Sequence, residues 1–252
     1  MLGLGNSLSL GGAPSEFTLT DISGLDIWLK YDTGFTVDGS DLISQWDDQS
    51  GNGNNAVQDT AGQKPTLVGG GADLDGAVGS SADKIAFSTI TNVTYTYFIV
   101  IEADSSAKGT LLGMNGDTGT FFRINQGASI EYRVRKGSTA DEDRSDLSTS
   151  AEPFIDASTP MLIVFQQKAG LDFDVHTGGN GADSKHEEDN FGVQGGGTNT
   201  TLSIDHLGTT GNNTVPFNGR ILEFACYDSI LSDADIALVK ASISTRTGVD
   251  LG

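Results

Sequence analysis

Oxygen-bearing side chains concentrate in one short stretch, WDDQSGNGNNA, between Trp46 and Ala56. Its carboxylates and amides belong to Asp47, Asp48, Asn52, Asn54 and Asn55. Ca²⁺ takes about six to eight such hard oxygen ligands on a flexible loop, but the spacing does not match the EF-hand pattern. Asp and Asn also bond the backbone two residues on, which folds a loop on itself. The sequence favours such Asx turns, and a calcium site is the alternative.

A second group of metal-ligand types alternates along one predicted strand. Asp172, Asp174 and His176 share a face, because side chains at spacing two lie on the same side of a strand. Neither His186 nor His206 has a spacing that would complete a zinc centre with them. A solvated strand face accounts for this pattern in an acidic chain, so we predict no metal ligands here.

The residue pattern does not indicate a hydrolase. A glycosidase needs two carboxyl groups roughly 5 to 10 Å apart, and the acidic run Glu187-Glu188-Asp189 lies in a Gly-rich stretch where all three would be solvated. No recognisable Ser/His/Asp motif occurs. Cys226 lies on the apolar face of its predicted strand, where a thiol is inert. We therefore predict no catalytic residue and no enzyme.

Four of the 14 basic residues, Arg123, Arg133, Arg135 and Lys136, fall on neighbouring strands of a predicted hairpin. They suit an acidic or sulfated glycan. The alternative is that they pair with the acidic residues of the following segment, since exposed ion pairs form easily even when they contribute little. Those residues are Asp141, Glu142, Asp143 and Asp146. The sequence favours the ion pairs.

Composition and charge restrict the class of protein. The 252 residues include 34 acidic and 14 basic side chains, a formal net charge of -20, which would repel nucleic-acid phosphates and an anionic membrane. Thirty-four glycines, five prolines and polar clusters between short apolar runs predict many strands joined by tight turns. One all-β domain of this size is ordinary, and the single cysteine excludes an internal disulfide.

Apolar alternation predicts about a dozen strands and one helix. The clearest strands cover 25–31, 42–46, 84–87, 94–102, 109–113, 120–125, 129–135, 160–166, 171–176, 201–207 and 219–227. Segment 94–102 is apolar on both faces, as in a strand covered on both sides. Trp28 and Trp46 lie inside such strands, where aromatic residues are core more often than sugar-stacking platforms. Residues 137–152 and 178–199 are predicted loops.

A capping box at Ser232–Asp235 predicts the start of a helix, and Gly248 predicts its end. At the other end, residues 1–15 form a Gly/Ser/Leu segment that we interpret as an assembly arm before a domain over 16–252. The first residues lack the positive charge of a Sec signal peptide. No apolar run reaches the ~18 residues of a membrane span, and the single cysteine fits synthesis in a reducing cytosol.

Several stretches resemble the laminin-G-like branch of the concanavalin A-like jelly rolls. They are SGLDIWLKYD from Ser23, ISQWDDQSGNGNNA from Ile43, KPTLV from Lys64 and NGRILEFACYDSILSDADIALVKASISTRTG from Asn218. The resemblance implies an antiparallel two-sheet sandwich with one short C-terminal helix. Enzymes of the family place Glu-x-Asp-x-x-Glu on a single strand, and this triplet does not occur here.

An arm-first module of this family without a signal peptide is similar to those in bacteriophage structural proteins. The resemblance implies a non-enzymatic capsid-decoration or tail-associated protein, assembled in the host cytoplasm and located in the virion. Its partners would be other virion proteins bound through the arm, further copies of itself, and host surface glycans at the outer loops. The alternative is a carbohydrate-binding, lectin-type module, calcium-dependent in one version. The sequence does not identify ligand-binding residues for either.

Overall fold

A computed structural model describes residues 16–104, 109–126, 130–136, 142–147, 159–167, 173–179, 182–188 and 201–251. These residues form two antiparallel sheets and one C-terminal helix, so the protein is an all-β sandwich, as predicted. The predicted arm, residues 1–15, lies outside the described residues. No helix in the described part of the chain is long and apolar enough to cross a membrane.

The strands in chain order have the following bounds. The first nine are β1 Leu25–Leu29, β2 Phe35–Val37, β3 Ile43–Trp46, β4 Ala56–Val57, β5 Thr66–Val68, β6 Gly71–Asp75, β7 Ile85–Asn92, β8 Tyr95–Ala103 and β9 Gly109–Met114. The others are β10 Asp117–Gln126, β11 Ile130–Lys136, β12 Glu142–Leu147, β13 Met161–Gln167, β14 Phe173–Gly179, β15 Ala182–Glu188, β16 Leu202–Leu207 and β17 Asn218–Tyr227. The helix α1 covers Asp233–Thr247.

Each sheet collects strands from distant parts of the chain. In the described residues, one sheet has the order β15-β14-β13-β8-β17-β6-β5, and β1 pairs with the C-terminal half of β17. The other has the order β12-β11-β10-β9-β16-β7-β4-β3-β2. Sequence neighbours are therefore often separated by strands from elsewhere, as in Greek-key connections.

The hydrophobic core has two layers. Between the sheets, β8 contributes Tyr95, Tyr97 and Ile99. The alternate residues Phe98 and Val100 lie on the other face of the same sheet, in a second buried cluster with side chains of α1. The prediction that segment 94–102 is covered on both sides is confirmed. One face of β8 packs against the other sheet, and α1 covers the face that would otherwise contact solvent.

Helix α1 begins and ends where the sequence predicts, and its apolar face packs on the sheet. The Ser232 hydroxyl oxygen accepts a hydrogen bond from the Asp235 N–H at 3.2 Å, and Gly248 ends the helix with a φ of 75°. Buried Ile236, Val239 and Ile243 pack on the sheet. The opposite positions of the helix stay exposed, which makes α1 a one-sided cover.

Two predicted loops contain strands instead. Residues 142–147 of the predicted loop 137–152 form β12, and residues 182–188 of the predicted loop 178–199 form β15. Both are edge strands, since β12 pairs with β11 and β15 with β14 at the ends of their sheets. Edge strands tolerate charged residues and lack apolar periodicity, so the predictions were wrong for these segments.

Candidate functional site

The Asp/Asn-rich loop after β3 is organised around Asp48. Its Oδ1 accepts from the N–H groups of Trp28 and Ser50, both at 2.8 Å. Its Oδ2 accepts from the Ser50 hydroxyl at 2.7 Å and the Asn54 N–H at 2.9 Å. Both carboxylate oxygens therefore serve hydrogen bonds within the fold.

Two side-chain amides of the loop donate hydrogen bonds to backbone carbonyls of β1. Asn52 Nδ2 donates to the Leu25 carbonyl oxygen at 2.7 Å, and Asn54 Nδ2 donates to that of Asp26 at 2.9 Å. These contacts tie the loop to β1, and the bond from the Ser50 N–H to Asp48 Oδ1 is the predicted Asx turn. Among the described residues there is no group of three or more His, Cys, Asp or Glu that could hold a metal ion.

The three candidate metal ligands of the predicted strand 171–176 are described only in part. Asp172 lies outside the described residues, as does Asp189 of the acidic run. Asp174 and His176 occupy β14, which lies between β13 and β15, one strand in from the edge. Glu187 and Glu188 belong to β15 rather than to a loop.

The remaining reactive side chains have structural partners. His206 is 1% exposed, with its ring nitrogens 2.6 Å from Asp205 Oδ1 and 2.8 Å from the Thr209 carbonyl oxygen. Cys226 is fully buried, and burial raises the pKa of its thiol well above the usual range. Such a thiol stays protonated and unreactive.

Both tryptophans belong to the core, as the alternating pattern predicts. Trp46 is fully buried, stacks on Phe35 with ring centroids 4.6 Å apart, and donates its Nε1–H to the Thr33 carbonyl oxygen at 3.0 Å. Trp28 is 5% exposed and donates its Nε1–H to Glu223 Oε1 at 2.8 Å. One side of Trp28 nevertheless borders an open cleft.

This cleft lies between α1, β1 and the segment before Leu19, and has a volume of about 520 Å³. Pockets for small ligands have volumes of roughly 300 to 1,000 Å³. Its lining combines hydroxyl, charged and apolar groups: Glu16, Phe17, Thr18, Trp28, Lys30, Leu238, Ala241, Ser242, Thr245 and Arg246. Sequence reasoning missed it because the lining comes from three segments that only the tertiary fold brings together.

Two cations lie over the indole in this cleft. Lys30 Nζ is 5.1 Å from the centre of the Trp28 ring, and the Arg246 guanidinium carbon is 5.2 Å from it. The Arg246 charge is balanced by buried Glu223, whose Oε1 accepts from Nη2 at 2.6 Å. Among the described residues, no carboxylate forms an ion pair with Lys30. The cleft therefore presents hydroxyls and a positive charge beside an apolar floor.

The four basic residues of the predicted hairpin lie on β10 and β11. The guanidinium carbons of Arg123 and Arg135 lie 4.0 Å and 4.9 Å from the centre of the Phe121 ring. Arg133 lies directly opposite Arg123 in the register. Lys136 is 2% exposed and follows Arg135 in the strand, so it belongs to the other face. For Lys136 the hypothesis of contact with a glycan is therefore wrong, because its side chain is buried.

The strand register gives the positions of the residues predicted to form ion pairs with these basic residues. Glu142 of β12 lies opposite Arg135, as the ion-pair hypothesis requires. Asp146, however, lies opposite Glu131, and Arg144 lies opposite Arg133. Asp141 lies outside the described residues. The register thus aligns like charges at two of these three positions.

An acidic group near β6 gives the stability a pH dependence. Burial raises the pKa of Asp83 to about 6, and the charges of Asp75 and Asp73 act in the same direction. A carboxyl with a folded-state pKa above its unfolded value of about 3.9 binds its proton more tightly when folded. The stability it contributes is present below about pH 4 and is lost as the pH rises through about 6.

We expect Asp83→Asn to remove the pH-dependent contribution that Asp83 makes to the free energy of unfolding. In the natural protein, the free energy of unfolding should fall by about 1 kcal/mol between about pH 4 and pH 7 on account of Asp83, after allowance for solvent screening. Urea denaturation at a series of pH values measures the slope in both proteins. Identical slopes would contradict the assignment, since Asp26 and Asp73, whose pKa values are also raised, remain in both.

No family model matches the sequence, and no curated protein matches it. Solved structures do match. Domain 4 of AbnA, a GH43 extracellular arabinanase from Geobacillus stearothermophilus solved with arabinotriose, is 16% identical, with 85% of this chain and 97% of that chain covered and a TM-score of 0.51. The binding domain of botulinum neurotoxin DC in complex with SialylT is 13% identical, with 90% and 52% covered and a TM-score of 0.52.

The match therefore spans about half of the toxin binding domain's chain. A third structure, the Ruminococcus gnavus IT-sialidase CBM40, is 18% identical over 58% of this chain and 82% of that chain, and its TM-score of 0.40 is too low to support an argument. At these identities the similarity shows the fold alone. The structural neighbours are carbohydrate-binding β-sandwich domains, which is compatible with a jelly-roll-like fold.

Proposed function

We propose that this protein is a non-enzymatic carbohydrate-binding module of lectin type, and that a short saccharide binds in the cleft between α1 and β1. The observation that carries the proposal is the cleft itself, about 520 Å³ in volume and lined by hydroxyls, charged groups and apolar side chains. Sugar sites need this mixture, because each saccharide presents hydroxyls around its ring and apolar C–H faces.

The comparisons support this hypothesis more than the virion hypothesis. Two solved domains of similar fold are complexes, one with arabinotriose and one with SialylT. Nothing in the comparisons points to a bacteriophage particle. The arm, the virion partners and the virion location stay predictions that follow from the sequence resemblance.

The composition of the cleft supports binding without catalysis. Glycoside hydrolysis requires two carboxyl groups flanking the bond, whereas Glu16 is the only carboxylate among the described lining residues. Glu223, beneath the floor, is held by Trp28 and Arg246. We therefore propose that the saccharide is held and released unchanged.

The experiment is a glycan array with the full chain, followed by calorimetric titration of the best saccharide into two variants. Ala241 lies on the exposed side of α1 and lines the cleft, so Ala241→Trp should fill the site and weaken binding about 10-fold or more. Ala237 is exposed one turn earlier and is not part of the lining, so Ala237→Trp is the matched control and should leave affinity unchanged.

An array without any bound saccharide would overturn the function, and equal affinities for both variants would overturn the assignment to the cleft. Repeating the titration in EDTA tests the calcium-dependent version. Because the Asp48 oxygens already accept hydrogen bonds from the fold, we expect no change in affinity. Loss of binding in EDTA would contradict our description of the loop as purely structural.

A further inference from the structure

Lys30 is a cation of the cleft that no carboxylate of the described chain neutralises. It follows β1 directly, two residues after Trp28, so the two side chains lie on the same side of the strand. That side faces α1, because Trp28 packs in the buried cluster that contains side chains of the helix. Among the described residues, no carboxylate lies within ion-pair distance of Lys30, and residues 1–15 contain no Asp or Glu.

The second cation of the cleft, Arg246, already has partners. Its Nη2–H and Nε–H donate to Glu223 at 2.6 Å and 3.4 Å, and its Nη1–H donates to Ser242 Oγ at 2.6 Å. The buried carboxylate beside Arg246 offsets the attraction of its guanidinium for an anion. A negative charge that enters the cleft therefore gains more from Lys30 than from Arg246.

Hydroxyl groups of α1 add hydrogen-bonding capacity to the lining. Ser242 accepts from Arg246, so its own O–H can donate to a ligand. Thr245 Oγ1 donates to the Ala241 carbonyl oxygen at 2.9 Å, so it can accept from a sugar hydroxyl. With the three N–H groups of Lys30, the lining offers a charged donor for an anionic oxygen and neutral partners for sugar hydroxyls.

We propose that the cleft selects a saccharide with a single anionic group, a carboxylate or a sulfate, and that Lys30 binds this group. The inference rests on the proposed carbohydrate-binding function and names the ligand class of the same cleft. A Lys ammonium is a compact charge with three donors, which suits the oxygens of either group. Its place over the Trp28 ring, 5.1 Å from the centre, positions the charge before a ligand arrives and lowers the cost of ordering it.

The acidic groups of the protein limit the ligand to one anionic group. Glu16 is the only carboxylate among the described lining residues, and it is exposed. It can accept hydrogen bonds from sugar hydroxyls, but it repels a second anionic group. The formal net charge of -20 repels a polyanion at longer range. A glycan with one acidic residue should therefore bind more tightly than a chain that is acidic at every ring.

The experiment is a glycan array printed in duplicate and probed with the full chain. It holds neutral oligosaccharides, their counterparts with one uronic acid, one sialic acid or one sulfate group, and polysulfated chains. On one copy the carboxylates are converted to neutral methyl amides, which keeps the sugar and removes the charge, whereas the sulfates stay charged. Signals lost on the amidated copy identify the carboxylate as the bound group, and signals retained there identify the sulfate.

We expect the acidic member of at least one pair to bind about 10-fold or more tightly than its neutral parent. The difference should shrink as salt is added, because Lys30 is only partly buried. Equal binding of acidic glycans and their neutral parents would overturn the proposal. Tighter binding of polysulfated chains than of singly charged glycans would overturn the limit to one anionic group.

Lys30→Gln is the decisive variant, measured by calorimetric titration with the best acidic glycan and its neutral parent. Affinity for the acidic glycan should fall about 5-fold or more, while affinity for the neutral parent stays within about 2-fold. Lys30→Arg keeps the charge and should keep the preference. Lys64→Gln removes a positive charge outside the cleft and should leave both affinities unchanged. A preference for the acidic glycan that persists in Lys30→Gln would overturn the role of Lys30.

Ala241→Trp separates this inference from the proposed function. Filling the cleft should weaken the acidic glycan and its neutral parent alike. If only the neutral parent is weakened, the anionic group binds elsewhere, which would overturn this inference and leave the cleft proposal standing. Neutral saccharides that bind in the cleft without any acidic preference would have the same meaning. An array without any bound saccharide would overturn both.

Discussion

Replacing Glu223 with alanine is expected to lower the free energy of unfolding by about 3 kcal/mol. The carboxylate is 1% exposed and accepts from Trp28 Nε1 at 2.8 Å and Arg246 Nη2 at 2.6 Å. Its other oxygen lies 3.4 Å from the backbone N of Tyr31. Without it, a guanidinium that is only 20% exposed and an indole N–H lose their partner.

Chemical denaturation measures this loss, and a loss this large corresponds to a fall in melting temperature of roughly 6–12 °C for a chain of this length. Glu102→Ala is the matched control, since Glu102 pairs with Arg220 on the same sheet. Asp73 lies close enough to Arg220 for its pKa to respond to that charge, so Arg220 keeps an acidic neighbour. The control should cost about 1 kcal/mol or less. Equal losses in the two variants would contradict our account of Glu223.

Replacing Asp48 with alanine is expected to cost a similar amount, about 3 kcal/mol. The two carboxylate oxygens accept four hydrogen bonds, from the N–H groups of Trp28, Ser50 and Asn54 and from the Ser50 hydroxyl. Hydrogen bonds to a charged acceptor are stronger than neutral ones. Their loss would free the loop from β1.

Asp47→Ala is the control for this change, because the adjacent carboxylate accepts a single described hydrogen bond, from Gln45 Nε2 at 2.6 Å. We expect it to change the free energy of unfolding by about 0.5 kcal/mol or less. Urea denaturation of the three proteins, with and without added calcium, provides the comparison. If calcium stabilised the natural protein but not Asp48→Ala, the loop would be a metal site and our account of its turns would be wrong.

The elements that sequence reasoning predicted well are those whose pattern is local. Strand β8 and helix α1 follow from apolar periodicity, and Ser232 and Gly248 marked the ends of the helix. The tight turns of the loop follow from Asp48 and Ser50, whose side chains bond the backbone two residues on. In each case the interacting groups lie within a few residues of each other, or repeat at a fixed period.

The elements that it missed depend on partners far along the chain. Strands β12 and β15 have no apolar alternation and form because β11 and β14 present unpaired backbone groups at the ends of the sheets. The burial of Lys136, by contrast, agrees with a local rule, since it follows Arg135 directly and adjacent strand residues alternate between faces.

The amino-acid sequence by itself determined that this protein is an all-β sandwich with one helix, buried tryptophans and an inert cysteine, because burial of apolar periodic faces dominates the energetics of folding. Only the tertiary structure decided where the cleft lies. The cleft joins Trp28 to Arg246, which lie more than two hundred residues apart, and β1 reaches its place through pairing with β17. Register is set by the sheet as a whole, and a shift of one residue would move every side chain to the opposite face.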